Sequence, residues 1–253
     1  MIQFTEAQLL GWITPLLWPF LRVLALFSAL PVIGQRSVPA RVRVALAFLI
    51  AFCAQAGLPE MPAVPLDSGI GFMLVAQQVV IGLTLGFAVR IVFAAVEFAG
   101  ELIGLQMGLN LAGFFDPATG GQATAVSRFF GIMVSWMFIV IGGHLLIIDA
   151  VVQSFRAFPA GPEPFAFIRA MRPEVWGAEV FAIGLWIAMP LVGMMLFVNL
   201  VLGLISRVAA QMNIFAIGFP ITLGVGLIGI VLTLPMMQTP FTMALERMLQ
   251  HFQ

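Results

Sequence analysis

The sequence predicts an all-α, polytopic helical membrane protein with about six hydrophobic spans and broken helices. Three observations carry that expectation: 62% of the 253 residues are apolar, only 9% are charged, and the mean hydropathy is +1.11. A soluble globular chain is roughly 45–50% apolar and about 25% charged. This chain has too little polar surface to cover a fold in water, so the bilayer must be part of its solvent. The cations are all arginine, and 11 of them balance 11 Asp and Glu, which argues against a basic nucleic-acid-binding face. The lone Cys53 leaves neither an intramolecular disulfide nor a multi-cysteine metal site.

The spans follow from uncharged runs, since about 20 helical residues cross the hydrocarbon core. The first, Ala7–Gln35, is irregular because Arg22, Pro15, Pro19 and Pro31 interrupt it, and the second, Val44–Pro59, is short. Four clean runs follow: Ser68–Val89, Phe129–Ile148, Val180–Ser206 and a stretch without charge from Val208 to Leu245. Glu6 precedes the first apolar stretch and Arg22 is the first cation, so the N-terminus does not read as a cleavable signal. The first span is expected to stay in the mature protein. Charges are expected in the connections, and the acid-free loop carrying Arg36, Arg41 and Arg43 is expected on the cytoplasmic side. Alternation then places Glu60 and Asp67 outside, Arg90, Arg128 and Arg207 inside, and Arg156, Arg169 and Arg172 outside.

Within Glu97–Gln122, Gly100, Gly104 and Gly108 recur every four residues and predict a smooth helix face open to close contact with another helix. Beside it, Glu97 and Glu101 lie one turn apart, and Gln106 and Asn110 continue the polar character. Such acids in an apolar chain need water, an arginine or a partner, so three readings stand: a solvated helix, a polar lumen or subunit contact, and a proton site. Arg22, a permanent charge in an apolar run with no acid within a turn, is expected to find its partner elsewhere in an assembly or in a water-lined lumen. Leu111–Phe115 then leads into Asp116-Pro117 and Gly120-Gly121, an apolar cluster at a helix-breaking turn. It reads either as core packing or as a constriction that closes a pore by dewetting.

Gly82/Gly86 and Gly224/Gly226/Gly229 are further small-residue contact patterns. His144 is read as a hydrogen-bonded structural residue before a proton relay, and the 15 methionines as deformable core fillers. There is no phosphate-cradling glycine loop with lysine, no H-E-x-x-H and no G-x-S-x-G. An enzyme, a cofactor and a metal site are accordingly not expected.

Five ordered motifs carry a family resemblance. They are Arg22 with Leu30-Pro-Val-Ile-Gly34 and Val38-Pro-Ala-Arg41-Val-Arg43; Ala99-Gly-Glu-Leu-Ile-Gly-Leu-Gln-Met-Gly108; Phe115-Asp-Pro117; Gly142-Gly-His144; and Arg207-Val-Ala-Ala-Gln-Met-Asn213 with Ile217-Gly-Phe-Pro220. From about Trp18 to Leu245 the chain resembles the FliR family of flagellar biosynthetic proteins, related to the SctT-type proteins of virulence secretion. The resemblance implies an export-gate subunit of a flagellar type III secretion system, at the basal body in the bacterial inner membrane. It implies assembly with FliP-like and FliQ-like subunits, contact with FlhB-like and FlhA-like components, and passage of unfolded flagellar proteins. It also implies a FliP-like portion over 1–175, a FliQ-like hairpin over 176–253, and a gate lifted partly above the membrane plane. The family's plug loop carries over onto Leu111, Gly113, Phe114 and Phe115, with Phe114 on a usual aromatic position and Leu111 where Phe also occurs. The family's usual proline in the late motif is Ala210 here, which makes that loop less rigid or partly helical. Gly218-Phe219-Pro220 has the flagellar rather than the virulence form. A secondary transporter of small solutes and a purely structural membrane scaffold stay open as alternatives.

Overall fold

In hydrocarbon every backbone N–H and C=O must be satisfied within its own segment, and the apolar runs accordingly become helices. A computed structural model describes residues 6–65, 67–109, 124–161, 167, 171, 176–208 and 214–252. Eight α-helices of twelve residues or more occur among them, with no strand: α1 Glu6–Ala29, α2 Ala40–Ala54, α3 Gly69–Gln106, α4 Ala125–Val140, α5 Gly143–Ala157, α6 Trp176–Val208, α7 Ile214–Thr233 and α8 Gln238–Leu249. Two starts are capped from the sequence. The Ser68 hydroxyl accepts the Gly71 N–H at 3.0 Å, and the Thr124 hydroxyl accepts the Ser127 N–H at 3.2 Å, each at the third helical residue where an orphan donor needs it.

Several boundaries differ from those expected. The run Ser68–Val89 does not end at Arg90: α3 continues to Gln106, 38 residues in all, so exposed Arg90 lies inside a helix and not in a connection. At 1.5 Å per residue α3 is about 57 Å long, nearly twice a hydrocarbon core of about 30 Å. The run Phe129–Ile148 is split at Gly142, whose φ of +72° stops α4 and starts α5; a left-handed residue there is cheap only for glycine. By contrast α1, α6 and α7 run through Pro15, Pro19, Pro190 and Pro220. Four helices are long and apolar enough to cross a membrane, or five if α4 and α5 together count as one broken span.

The chain forms two compact units. The first comprises residues 1–91, 138–176 and 245–253. In it Trp18, Arg22, Leu26 and Leu30 recur every four residues of α1 and its C-terminal flank, all essentially inaccessible. On α3 the buried positions Leu74, Gln78, Ile81, Leu85 and Ala88 alternate steps of four and three, the spacing of a helix seam. The two helices meet where α3 has glycine: a Cβ on Gly86 would lie 2.6 Å from the Ala29 Cβ and 2.9 Å from the Leu26 carbonyl, and one on Gly82 would strike the Arg22 carbonyl. Helix α5 adds Ile147, Ala150, Val151, Ser154 and Phe155 to the core, and Phe158, Phe167, Trp176 and Phe252 stack edge-on or tilted beside it.

The second unit comprises residues 92–137 and 177–244, with the C-terminal part of α3 as its spine. Gly100 lets α4 approach, its Cβ position being 2.8 Å from the Ser127 Cα; Gly184 of α6 lies against the Ala95 carbonyl at 2.7 Å; and Gly226 of α7 faces the Met107 side chain. Phe98 meets Phe181, and Phe93 meets Phe241, edge to face.

The glycine contacts make a sharp comparison. Gly82→Leu forces a branched side chain into the α1 backbone and should destabilise the detergent-solubilised chain by about 1–3 kcal/mol. Gly224→Leu, with nothing within 4 Å of its Cβ position, should shift stability by less than about 0.5 kcal/mol. Thermal unfolding of both variants checks this, and equal melting would refute the close approach.

Candidate functional site

Arg22 is fully buried, and the structure corrects the expectation that its partners lie outside the chain or in water. Its Nε donates to Gln78 Oε1 at 2.8 Å, one terminal nitrogen to the Ser154 hydroxyl at 2.8 Å, and the other to the Phe158 carbonyl at 3.0 Å. The guanidinium carbon lies 3.5 Å from the centroid of the Phe155 ring, a cation–π stack. The ladder extends from Gln78 to Gln77, which donates to the Pro159 carbonyl at 3.3 Å. The site therefore joins α1, α3, α5 and the segment after α5. The sequence reading missed Gln78 and Ser154; the readable signal was a Gln77-Gln78 pair inside an otherwise apolar run, since polar side chains in membrane helices serve as interhelical glue.

A second polar cluster frames the end of α3. Glu101 Oε1 accepts the Thr124 N–H at 3.0 Å, a carboxylate at the positive end of α4. The Ser127 hydroxyl donates to the Glu97 carbonyl at 3.0 Å. Glu97 is exposed, and its carboxylate lies across Gly131, 3.1 Å from where a Cβ there would sit. Gln106, half-buried, accepts from Asn199 at 3.4 Å. These side chains thus meet the chain's own second unit.

Gly100, Gly104 and Gly108 do not form one continuous helix face. Gly100 packs inside the chain on α4. Gly108, with φ +77°, lies two residues past Gln106, the last helical residue: its N–H reaches the Leu105 carbonyl at 3.1 Å, and the Leu109 N–H reaches the Gly104 carbonyl at 3.0 Å, the paired bonds of a glycine-terminated helix. Gly104 itself is buried. The described chain is thus anchored on both sides of residues 110–123, by Gly108 before them and by Thr124 and Glu101 after them. Asn110 and the plug residues Leu111, Gly113, Phe114 and Phe115 lie outside the described residues, as does Ala210. Arg207 is exposed in the last turn of α6, where a cation suits the helix dipole. The buried Nδ1 of His144 has no hydrogen-bond partner among the described residues.

Residues 13–248 match the family described as bacterial export proteins, family 1. The chain is 42% identical over 227 residues to the flagellar biosynthetic protein FliR of Escherichia coli (strain K12), covering 90% of this chain and 87% of that one. It is 40% identical to FliR of Pectobacterium carotovorum over 93% of this chain and 90% of that one. FliR of Bacillus subtilis (strain 168) is 30% identical over 90% and 91% of the two.

Arg22→Met keeps the length and removes the donors, stranding the Gln78 and Phe158 oxygens. We expect a loss of about 2–4 kcal/mol, and a similar loss for Arg22→Lys, because one ammonium cannot reach three separated acceptors. Ser154→Ala should cost less in the Arg22→Met background than alone, a coupling of about 1 kcal/mol in unfolding measurements. Strict additivity of the two would show that the hydrogen bond contributes nothing.

Proposed function

The chain belongs to the bacterial export proteins, family 1, together with the flagellar FliR proteins, and from that premise we propose that it is an export-gate subunit of a flagellar type III secretion system. The single observation that carries this is end-to-end similarity to FliR, above 40% identity at 90% coverage. In this reading it assembles with FliP-like and FliQ-like subunits, works beside FlhB-like and FlhA-like components at the basal body in the inner membrane, and helps pass unfolded flagellar subunits outward.

Two physical features support an assembled gate. Helix α6 exposes Phe181, Trp186, Phe197 and Leu200, each more than half accessible, an apolar surface that lipid or other subunits must cover. Helix α3, at 38 residues, is roughly 27 Å longer than a hydrocarbon core, so part of the subunit reaches past one. The mechanism assigned to Leu111–Phe115 is steric and hydrophobic: an apolar plug keeps water and ions out of the closed pore, while its anchors at Gly108 and Thr124 stay in place. Residues 1–175 then make the FliP-like portion and residues 176–253 the FliQ-like hairpin.

Deletion of the chain should abolish swimming, and co-expression should recover it in a complex with FliP-like and FliQ-like proteins. A variant with Leu111, Phe114 and Phe115 all changed to Gly should assemble in normal yield yet leave cells permeable to small ions. Poor assembly without leak would identify the cluster as core packing. A well-assembled, ion-tight variant would sink the plug assignment.

A further inference from the structure

Within the second unit, the end of α3 is held from α7. Met107, the first residue past Gln106 at the end of α3, is completely inaccessible. Its side chain lies across Gly226 of α7, where a Cβ would sit 2.5 Å from Met107 Cγ, 2.7 Å from Sδ and 2.8 Å from Cε. Because Cγ is close to its own backbone, the methionine cannot clear an added methyl group by swinging its tip aside. One turn earlier on the same face of α7, Thr222 is buried. Its hydroxyl shares one proton between the Phe219 carbonyl at 3.0 Å and the Met107 carbonyl at 3.4 Å. The last carbonyls of a helix lack intrahelical donors, and for Met107 α7 supplies one from outside. Gly224, two residues from Gly226, meets nothing within 4 Å.

The point that this socket fixes is the exit of the chain from α3. The Met107 N–H is bonded to the Ile103 carbonyl at 3.0 Å, and Gly108 and Leu109 are bonded back to Leu105 and Gly104. Residues 107–109 therefore move with the end of α3 and leave no slack before residue 110. A close-packed contact does not deform continuously, so Met107 is either seated against Gly226 or displaced together with that turn.

We propose that Thr222 and Gly226 are positioning residues of the gate: they seat Met107 and so set where residues 110–123 begin. This assignment rests on the export-gate reading and on the plug at Leu111–Phe115, and it adds that tightness is set from the C-terminal hairpin. It differs from plain core packing in what fails first, since a displaced Met107 costs ion tightness before it costs assembly.

The test uses the full chain expressed with the other gate subunits, with complex yield and ion permeability measured on the same cells. Gly226→Ala drives a methyl group into the Met107 side chain. It should assemble in normal yield yet raise permeability roughly fivefold or more, the change that an overpacked contact makes in a two-state equilibrium. Gly224→Ala should change neither. Combining Gly226→Ala with Met107→Ala gives the methyl group room and should leave cells tighter than either single variant does. Reduced yield without leak would make the contact ordinary core packing and overturn the proposal. A well-assembled, ion-tight Gly226→Ala would overturn it as well. If the variant with Leu111, Phe114 and Phe115 changed to Gly leaks in the same cells, the plug survives that result; if both are ion-tight, the plug and the socket's role fall together. A cross-link checks the seat without overpacking it. One Cβ–Cγ bond separates the Met107 Cβ from the atom 2.5 Å away, so the two Cβ positions lie within about 4 Å, inside disulfide range. With the one native cysteine removed as Cys53→Ser, Met107→Cys/Gly226→Cys should form a disulfide in the assembled complex under mild oxidation. Failure to form it there would overturn the proposal.

Discussion

A guanidinium with no water around it is the constraint on which the first unit depends. Moving a charge from water into a low-dielectric interior costs several kcal/mol even after relaxation, and Arg22 is fully buried. The cost is offset only where each direction of its planar fork meets an acceptor, and Gln78, Ser154 and the Phe158 carbonyl supply three of them with Phe155 against the flat face. Each acceptor comes from a different segment. Satisfying one side chain therefore sets the mutual register of α1, α3 and α5. Slipping α3 by one residue would turn Gln78 away and also bring a side chain where Gly82 and Gly86 allow the α1 backbone, so packing and polar satisfaction enforce the same arrangement.

Helix α3 is the second organising feature, because its halves belong to different units. Its first half uses glycine to receive α1, and its second half uses Gly100 to receive α4. A helix this long is more than one hydrocarbon crossing needs. Counting charges on alternate sides assumed that each arginine closes a span, and Arg90 sits inside α3. The rule concerns loops beside membrane-spanning segments, so a cation in the middle of a helix gives it nothing to count.

The polar groups near the end of α3 are used locally. Glu101 holds the start of α4, and Ser127 ties back to the Glu97 backbone. The described residues on both flanks of 110–123 are thus hydrogen-bonded back to α3.

What the sequence determined by itself was the solvent and the class of fold. An apolar fraction of 62% and long uncharged runs leave only helices in lipid, because no other open structure satisfies its backbone there. The ordered motifs from Arg22 to Pro220 also carried the family, which needs only residue identities in order. Tertiary structure alone decided which partner each polar residue meets. Gln78 and Ser154 lie 56 and 132 positions from Arg22, and no local period links them. It likewise decided that Gly100 faces α4 within the chain, and that Gly108 ends α3 in a left-handed turn. A four-residue glycine repeat describes one helix face only as long as the helix lasts. Where it stops depends on bonds such as Leu109 to Gly104, which exist only once the chain has turned.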